Sequence, residues 1–334
     1  MSSSSSSSSI PSESGPTVDP NTDPYLYFGL TKHSDGSISR RPWPFPVMPP
    51  SPQPNPDAVL SKDLPINPNN KTWARLYLPE SADPAAKLPL IVYFHGGGLV
   101  AGGVAVSIFH QYCCDIAREI HALVVSVEYR LGPEHRLPAA YDDGVEALQL
   151  VRSSGEEWLT SRADLSTCFL MGFSAGGNIA YHVGLHAIST VDDLLPLKIR
   201  GLILHQPFFG GVERTASEIR LMKDKVLPPV SSDVAWSLSL PDGADRDHEY
   251  CNPTAAGISP DLLEKMRNQR WKVLVTGYEG DPMIDRHVEL SRTLKEKGID
   301  VEDDFRDGGC HGLEHFDQSA AKMFYAVVKK FVLS

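Results

Sequence analysis

Short apolar runs alternate with segments of helical periodicity along most of the chain. The apolar runs are Trp73–Leu78, Leu90–Phe94, Leu123–Tyr129, Cys168–Met171, Ile199–His205 and Trp271–Gly277. The segments that predict helices include Ser107–Glu119, Tyr141–Arg152 and Gly177–Leu185. Continuous apolar runs of this length are typical of strands buried on both faces of a parallel sheet. The alternation therefore predicts an α/β fold with a mostly parallel central sheet and helices on both of its faces.

One predicted strand-to-helix junction carries a serine between two glycines. The sequence Gly-Phe-Ser-Ala-Gly at residues 172–176 follows an apolar run and precedes a predicted helix. This arrangement is typical of a nucleophile elbow, in which a strained turn exposes the serine Oγ. A β-carbon at either glycine would crowd the sharp turn. The pattern alone also fits a glycine-rich helix start, so the assignment of Ser174 as a nucleophile depends on the motifs around it.

A second glycine-rich turn follows the predicted strand Leu90–Phe94. Residues 95–98 are His-Gly-Gly-Gly, and successive glycines leave backbone N–H groups uncovered, as an oxyanion hole requires. A simple tight turn is one alternative. A phosphate-binding loop is another, but neither Gly-Lys-Ser/Thr nor a helix-opening G-x-G-x-x-G is present. We predict that the oxyanion is bound by the backbone amides of Gly96, Gly97 and Ala175.

An acid and a histidine are expected toward the C-terminus, in that order. Asp281 lies in the loop that leaves the predicted strand 271–277, where a catalytic acid is expected. Asp285 is the alternative, although it is better placed to cap the next helix or to interact with its dipole. Among the 12 histidines, His311 combines this order with a glycine-flanked loop, and His315 is the second choice.

The motifs occur in one fixed order along the chain. They are residues 95–98, 129–143, 174–178, 280–282 and 311–312. From about residue 22 to its end the sequence resembles the plant carboxylesterases of the hormone-sensitive-lipase-like branch of the α/β-hydrolases. The resemblance implies an α/β-hydrolase fold with a cap and a serine hydrolase with the triad Ser174, Asp281 and His311, without a metal or organic cofactor. Phe173 departs from the family, which usually has an acidic residue before the nucleophile, and this puts a plain esterase optimum in question.

The chain divides into a tail and one predicted domain. Ser2–Ser9 is a run of eight serines, and we expect residues 1–22 to be a disordered tail. A secretory signal needs an apolar core that is missing here, whereas a plastid transit peptide remains an alternative. Residues 23–334 are predicted to form a single α/β-hydrolase domain. Segments 23–72 and about 208–253 are expected to contribute to a helical cap, the first because of the family resemblance and the second because it lacks strand periodicity.

The composition and net charge of the chain restrict its possible binding partners. The 334 residues are 41% hydrophobic, which is sufficient for a large core, and the net charge of −11 argues against nucleic acid as a partner. The five cysteines, which include the adjacent Cys113 and Cys114, predict reduced thiols in an intracellular protein. The sequence contains no apolar run long enough to span a membrane. We expect a cytoplasmic monomer or weak homodimer that acts on a small-molecule ester.

Three functions are compatible with these features. The first is a carboxylester hydrolase of broad or modest specificity. The second is a dedicated enzyme of specialised metabolism, for example in alkaloid biosynthesis, that couples ester cleavage to decarboxylation, cyclisation or elimination; Phe173 favours it. The third is a small-molecule receptor similar to the gibberellin receptors, which resemble these esterases in fold. His311 argues against the receptor, because those proteins lack the catalytic histidine.

Overall fold

A mixed sheet runs through the computed structural model, which describes residues 22–41, 43–53, 59–80 and 86–334. Within these ranges eight strands are ordered β10-β9-β8-β7-β5-β6-β4-β3. Strands β5 to β10 are parallel where they pair, whereas β4 is antiparallel to both β3 and β6. A short antiparallel hairpin, β1–β2, precedes them. The strands are β1 Leu30–Lys32, β2 Ile38–Arg40, β3 Val59–Asn67, β4 Thr72–Pro79, β5 Leu88–Phe94, β6 Leu123–Glu128, β7 Ala163–Phe173, β8 Ile199–His205, β9 Lys272–Tyr278 and β10 Asp300–Arg306.

Helices cover both faces of this sheet, as the alternation of elements predicts. Helices α2, α4, α8 and α9 pack on one face, and α1 and α10 pack on the other. The helices are α1 Ser107–Ile116, α2 Ala139–Ser153, α3 Glu157–Ser161, α4 Ala175–Ser189, α5 Ala216–Arg220, α6 Pro229–Ser239, α7 Pro253–Ala256, α8 Pro260–Asn268, α9 Ile284–Glu296 and α10 Gln318–Leu333. A turn of π-helix at Ala117–His121 extends α1.

Strand β5 shows why the central strands are continuous apolar runs. Leu90, Val92 and Phe94 point into the core on one face of the sheet. Ile91 and Tyr93 point into the core on the other. Because side chains alternate between the faces of a strand, burial on both faces requires an apolar residue at every position.

Two strands of the sheet were not predicted. Residues 59–67, predicted as part of the cap segment 23–72, instead form edge strand β3, in which only Val59 and Ser61 are buried. Strand β10 has β9 as its neighbour and is acidic, with Val301 and Phe305 as its contacts to the core. An edge strand needs few apolar residues, so its sequence resembles that of a loop.

The predicted tail lies outside the described residues except for Thr22. In the described ranges the five cysteines are thiols without disulfide bonds, and Cys310 is the one that is not fully buried. Burial raises the pKa of Cys310 to about 11. The helices of these ranges include none with the length and apolar character needed to span a membrane.

Two arginines fasten the segments that lie over the carboxyl end of the sheet. Arg40, at the end of the β1–β2 hairpin, donates from Nε to Glu134 Oε1 at 2.8 Å. Arg136 donates to the carbonyl oxygens of Ser237 at 2.9 Å and Leu240 at 2.7 Å. Glu134 and Arg136 both belong to the loop between β6 and α2, so these contacts join that loop to the hairpin and to the end of α6.

Candidate active site

Ser174 lies at the sharp turn between β7 and α4, with φ 55° and ψ −118°. A non-glycine residue rarely adopts a positive φ, and such a conformation costs about 1–3 kcal/mol. The backbone is held there by two hydrogen bonds: the Ser174 N–H donates to the carbonyl of His205 at 2.9 Å, and the Ser174 carbonyl accepts from the Phe208 N–H at 2.8 Å. The turn therefore presents Oγ at the edge of the sheet.

The two glycines of this turn are required by close backbone contacts. A β-carbon on Gly172 would lie 1.9 Å from the carbonyl oxygen of Gly176. A β-carbon on Gly176 would lie 1.8 Å from the carbonyl oxygen of Phe94. Both distances are far below van der Waals contact, so no other residue fits either position without a backbone shift.

The imidazole of His311 bridges the serine and a carboxylate. Its Nε2 lies 2.9 Å from Ser174 Oγ, and its Nδ1 lies 2.7 Å from Asp281 Oδ2. An ionised carboxylate can only accept, so Nδ1 donates to Asp281. Nε2 is then left as an acceptor for the serine hydroxyl. The arrangement can remove a proton from Ser174.

Asp281 is fully buried, and its second oxygen accepts from the Met283 N–H at 2.9 Å. Burial by itself would raise the pKa of Asp281, but the charge and hydrogen bond of His311 lower it below its ordinary value. The carboxylate therefore stays ionised at neutral pH. Asp285, the alternative acid, accepts instead from the Ser217 N–H at 2.7 Å.

The glycine-rich turn after β5 lies beside Ser174. Gly97 has φ 121°, and a β-carbon there would lie 2.1 Å from the carbonyl oxygen of Ala101. Gly98 has φ 62° and, like Gly97, lines the cavity above Ser174. Gly96 and Ala175, the other two predicted oxyanion donors, are not among the described residues that line this cavity. A β-carbon on Gly96 would lie 2.8 Å from the Phe173 ring.

His95 supports this turn. Its ring stacks on Tyr129 with centroids 4.3 Å apart, and its Nδ1 donates to the carbonyl of Gly96 at 2.7 Å. The Tyr129 hydroxyl donates to the His95 carbonyl at 2.8 Å. Burial lowers the pKa of His95 to about 4, so its ring is neutral at physiological pH.

A cavity of about 750 Å³ opens above Ser174. Its wall is mostly apolar, and its rim carries Arg220, Lys223, Asp224 and Lys225. Trp236, in the segment predicted as part of the cap, is in the core, where it stacks on Phe208 with centroids 4.7 Å apart. The aromatic residues of the wall are Tyr27, Phe28, Trp43, Phe45, Phe109, Phe173 and Phe316.

Phe173 forms part of this wall and contacts the bridging histidine. Its ring stacks on His311 with centroids 5.1 Å apart and meets His315 edge-on at 4.7 Å. His315, the second choice from sequence, packs against Phe173 and Tyr112 rather than beside Ser174. Burial lowers the pKa of His315 to about 4. An apolar ring thus covers one face of His311 at the position where the family usually has an acid.

A buried contact between a glutamate and a histidine behind Phe173 was not predicted from sequence. Glu314 Oε2 lies 3.1 Å from His205 Nε2, and Glu314 Oε1 accepts from the Tyr278 hydroxyl at 2.8 Å. Burial by itself would raise the pKa of Glu314, but the charge of His205 and the hydrogen bonds hold it at about 2. The available signal in the sequence was the position of Glu314, which lies two residues after the His311-Gly312 motif. The pair fixes the turn after His311 to the end of β8.

Comparison with known proteins defines the class of this site. A family model described as the alpha/beta hydrolase fold matches residues 91–315. Carboxylesterase 20 of Arabidopsis thaliana is 51% identical over 94% of this chain and 98% of its own length. A 3-O-acetylpapaveroxine carboxylesterase of Papaver somniferum is 41% identical over 93% of this chain and 98% of its own. A solved esterase of Pyrobaculum calidifontis superposes with a TM-score of 0.67 at 26% identity, over 83% of this chain and 86% of its own.

The fold is that of an α/β-hydrolase, as the sequence predicts. Within that superfamily, the chain belongs to the plant carboxylesterases of the hormone-sensitive-lipase-like branch. A gibberellin receptor of Arabidopsis thaliana is a more distant relative, at 33% identity over 83% of this chain and 81% of its own. The predicted activity, that of a carboxylic ester hydrolase, is confirmed at the level of the family.

Replacing the buried carboxylate separates the two candidate acids. Asp281→Asn should lower kcat by about 10³–10⁴-fold, because an amide cannot hold the tautomer of His311 that leaves Nε2 free to accept. Asp285→Asn keeps an oxygen acceptor for the Ser217 N–H and should cost less than about tenfold. Steady-state kinetics on folded protein measure both, and the reverse ranking would show that the wrong acid was chosen.

Phe173→Glu should change the pH dependence rather than abolish turnover. A carboxylate beside the His311 ring favours a protonated imidazole, which cannot accept the serine proton. The acidic limb of the kcat/KM profile should therefore move to higher pH. Phe173→Gln, which is polar but uncharged, is the matched control and should leave the limb in place. If the profile and the substrate preference of Phe173→Glu both equal those of the native protein, the apolar ring is neutral for function.

Proposed function

We propose that this protein hydrolyses small-molecule carboxylic esters through an acyl-enzyme on Ser174, with Asp281 and His311 as the other members of the triad. The observation that carries the proposal is the bridging imidazole, whose two nitrogens lie 2.7 Å from Asp281 Oδ2 and 2.9 Å from Ser174 Oγ. General-base activation of a serine requires this geometry. No metal or organic cofactor is needed for the reaction.

The first half of the reaction forms the acyl-enzyme. Ser174 Oγ attacks the ester carbonyl carbon while His311 Nε2 takes the hydroxyl proton, and Asp281 stabilises the resulting imidazolium. The tetrahedral oxyanion is bound by the backbone amides of Gly96, Gly97 and Ala175. Collapse of this intermediate breaks the bond to the alcohol oxygen, which takes the proton from Nε2 and leaves.

The second half regenerates the serine. Water attacks the acyl carbonyl, His311 takes a proton from it, and the acid leaves as Ser174 recovers its own proton. Esters are preferred over amides because an alkoxide leaves more readily than an amine. Because the buried His95 is neutral, the glycine turn stabilises the oxyanion through N–H dipoles and not through a charge on this ring.

The cap is formed by the N-terminal segment and by residues of the segment 208–253. Phe28 supports this assignment, because a β-carbon on Gly98 would lie 2.6 Å from its ring, so the N-terminal segment touches the oxyanion turn. From the second segment, residues 220–227 contribute to the cavity wall. Both segments are fastened through Arg40 and Arg136 to the loop between β6 and α2.

The cavity favours an ester with an apolar, largely aromatic body that also carries an anionic group. Flat rings stack well on the aromatic wall. At the rim, Asp224 is the one carboxylate among the described lining residues, and it accepts from the N–H groups of Val226 at 2.8 Å and Leu227 at 2.6 Å. Lys223 and Lys225 have no carboxylate partner in the described part of the chain. The rim is thus locally cationic in a protein whose net charge is −11.

A dedicated step in specialised metabolism is the second candidate function. The relative named as a 3-O-acetylpapaveroxine carboxylesterase, at 41% identity, supports it. So does Phe173, which gives the site an apolar surface where the family usually has a charge. A cytoplasmic location and a monomer or weak homodimer complete the proposal, and the free buried thiols support a reducing compartment.

Removal of the nucleophile tests the triad. Ser174→Ala should reduce kcat by a factor of about 10⁴ or more, and a fluorophosphonate should label the native protein stoichiometrically at Ser174. Ser166→Ala, in an exposed turn of β7, is the matched control and should leave both unchanged. A folded protein that fails to label would exclude both enzyme functions.

Turnover of short p-nitrophenyl esters at kcat/KM of about 10⁴ M⁻¹s⁻¹ or above favours a general esterase, and full labelling with much slower turnover favours a dedicated enzyme.

The rim charges are tested with a matched pair of esters, 4-acetoxybenzoate and the neutral 4-acetoxybenzamide. The double variant Lys223→Gln/Lys225→Gln should raise KM for the anionic ester about three- to tenfold and leave the neutral ester within twofold, since each exposed charge contributes modestly. Lys329→Gln, on the far helix α10, is the control. Equal KM changes for both esters would exclude an anion-binding rim while leaving the hydrolase function intact.

A further inference from the structure

Gln206 lies directly after β8, between the nucleophile turn and the loop that carries His311. Its side chain is fully buried, and its backbone has φ 45°, in the region that non-glycine residues rarely adopt. The Gln206 N–H donates to the carbonyl of Thr276 at 3.0 Å, which fixes the residue to β9. A buried polar side chain on a strained backbone is retained only when the surrounding contacts hold it there.

The amide of Gln206 binds both neighbours of His311. Its Nε2 donates to the carbonyl of Cys310 at 3.1 Å. Its Oε1 accepts from the Gly312 N–H at 2.7 Å. The orientation of the amide is fixed by chemistry, because a carbonyl oxygen can only accept and an N–H can only donate.

We infer that Gln206 is the positioning residue of the catalytic histidine: its amide clamps the backbone on either side of His311 and so sets the position of the imidazole between Asp281 and Ser174. The inference rests on the proposed function of His311. Gln206 contacts no reacting atom in this arrangement and acts through the loop.

The loop needs such a clamp because its own backbone is permissive. Gly308, Gly309 and Gly312 all have positive φ, between 66° and 71°. Glycine adopts many conformations at little cost, so these positions do not hold the loop by themselves. The same strand end also supports the nucleophile, since the His205 carbonyl accepts from the Ser174 N–H at 2.9 Å. Two consecutive residues at the end of β8, 205 and 206, therefore position both Ser174 and His311.

Loss of the clamp should affect the chemical step more than binding. Gln206→Met keeps the length and loses both hydrogen bonds, and we expect kcat to fall about 10–100-fold with KM within about threefold, as displacements near 1 Å can cause. Gln206→Asn tolerates positive φ but is one methylene too short to reach both groups, and it should behave similarly. The rate of fluorophosphonate labelling at Ser174 should fall in parallel with kcat.

Replacing Gln206 by an acid should make kcat depend on pH in a way that a purely structural role of Gln206 would not produce. In Gln206→Glu the neutral carboxyl group can donate to the Cys310 carbonyl and accept from the Gly312 N–H, as the amide does. The ionised form cannot donate and places a negative oxygen against that carbonyl. Burial raises carboxyl pKa values, as it raises that of Glu128 in this protein to about 7. The ratio of Gln206→Glu to native kcat should therefore fall as pH rises between about pH 5 and 8.

The control for this experiment is Gln269→Glu, the same change at an exposed position after α8, whose ratio to native kcat should stay constant with pH. A pH-dependent ratio for Gln206→Glu with a flat ratio for Gln269→Glu supports the clamp. The inference is overturned if folded Gln206→Met retains native kcat and labelling rate, or if the Gln206→Glu ratio does not change with pH. Absence of turnover and labelling in the native protein would instead contradict the proposed function, so the two failures are distinguishable.

Discussion

The active site depends on one imidazole held between a buried carboxylate and a hydroxyl. His311 must keep Nδ1 at 2.7 Å from Asp281 and Nε2 at 2.9 Å from Ser174 at the same time, although the three residues are far apart in the chain. They meet because β7, β9 and β10 are parallel, so that the loops leaving their carboxyl ends share one edge of the sheet. The positions of these loops decide whether proton transfer is possible.

Around His311, three neighbouring histidine rings are neutral, and the carboxylate of Asp281 carries a negative charge. Burial lowers the pKa of each of His95, His287 and His315 to about 4, so these neighbouring rings are neutral near pH 7. The lowered pKa of Asp281 keeps its carboxylate ionised. Because Asp281 is fully buried, the interaction of this carboxylate with the imidazolium that forms during catalysis is weakly screened. Protonation of Asp281 sets the lower end of the pH range, because lowering the pH through the pKa of Asp281 would remove that stabilisation.

The sequence was most informative where backbone geometry restricts residue type. Gly172 and Gly176 have no room for a β-carbon, and this constraint appears in the sequence as the G-x-S-x-G motif. The central strands were predictable because burial on both faces requires continuous apolar runs. Motif order and strand ends together gave Asp281 and His311 as candidates, and their geometry agrees with the assignment. Residues whose role depends on contacts with a distant part of the chain carry no such local pattern in the sequence.

Gln206 illustrates this limit. A glutamine after an apolar strand is compatible with many roles, and only the approach of a loop more than 100 residues later, as in the contact with Gly312, gives it two backbone partners. The edge strands β3 and β10 were missed for the opposite reason, since an edge position relaxes the requirement for apolar residues.

The N-terminal segment joins the cavity wall to the glycine turn. Arg40 bonds Glu134 and the carbonyls of Gly132, at 2.5 Å, and Val100, which follows the glycine turn. The residues on either side of the hairpin, Leu26–Gly29 and Trp43–Phe45, line the cavity. Because a buried carbonyl group left unpaired costs about 1–3 kcal/mol, the hydrogen bonds of Arg40 hold this segment of the wall against the turn.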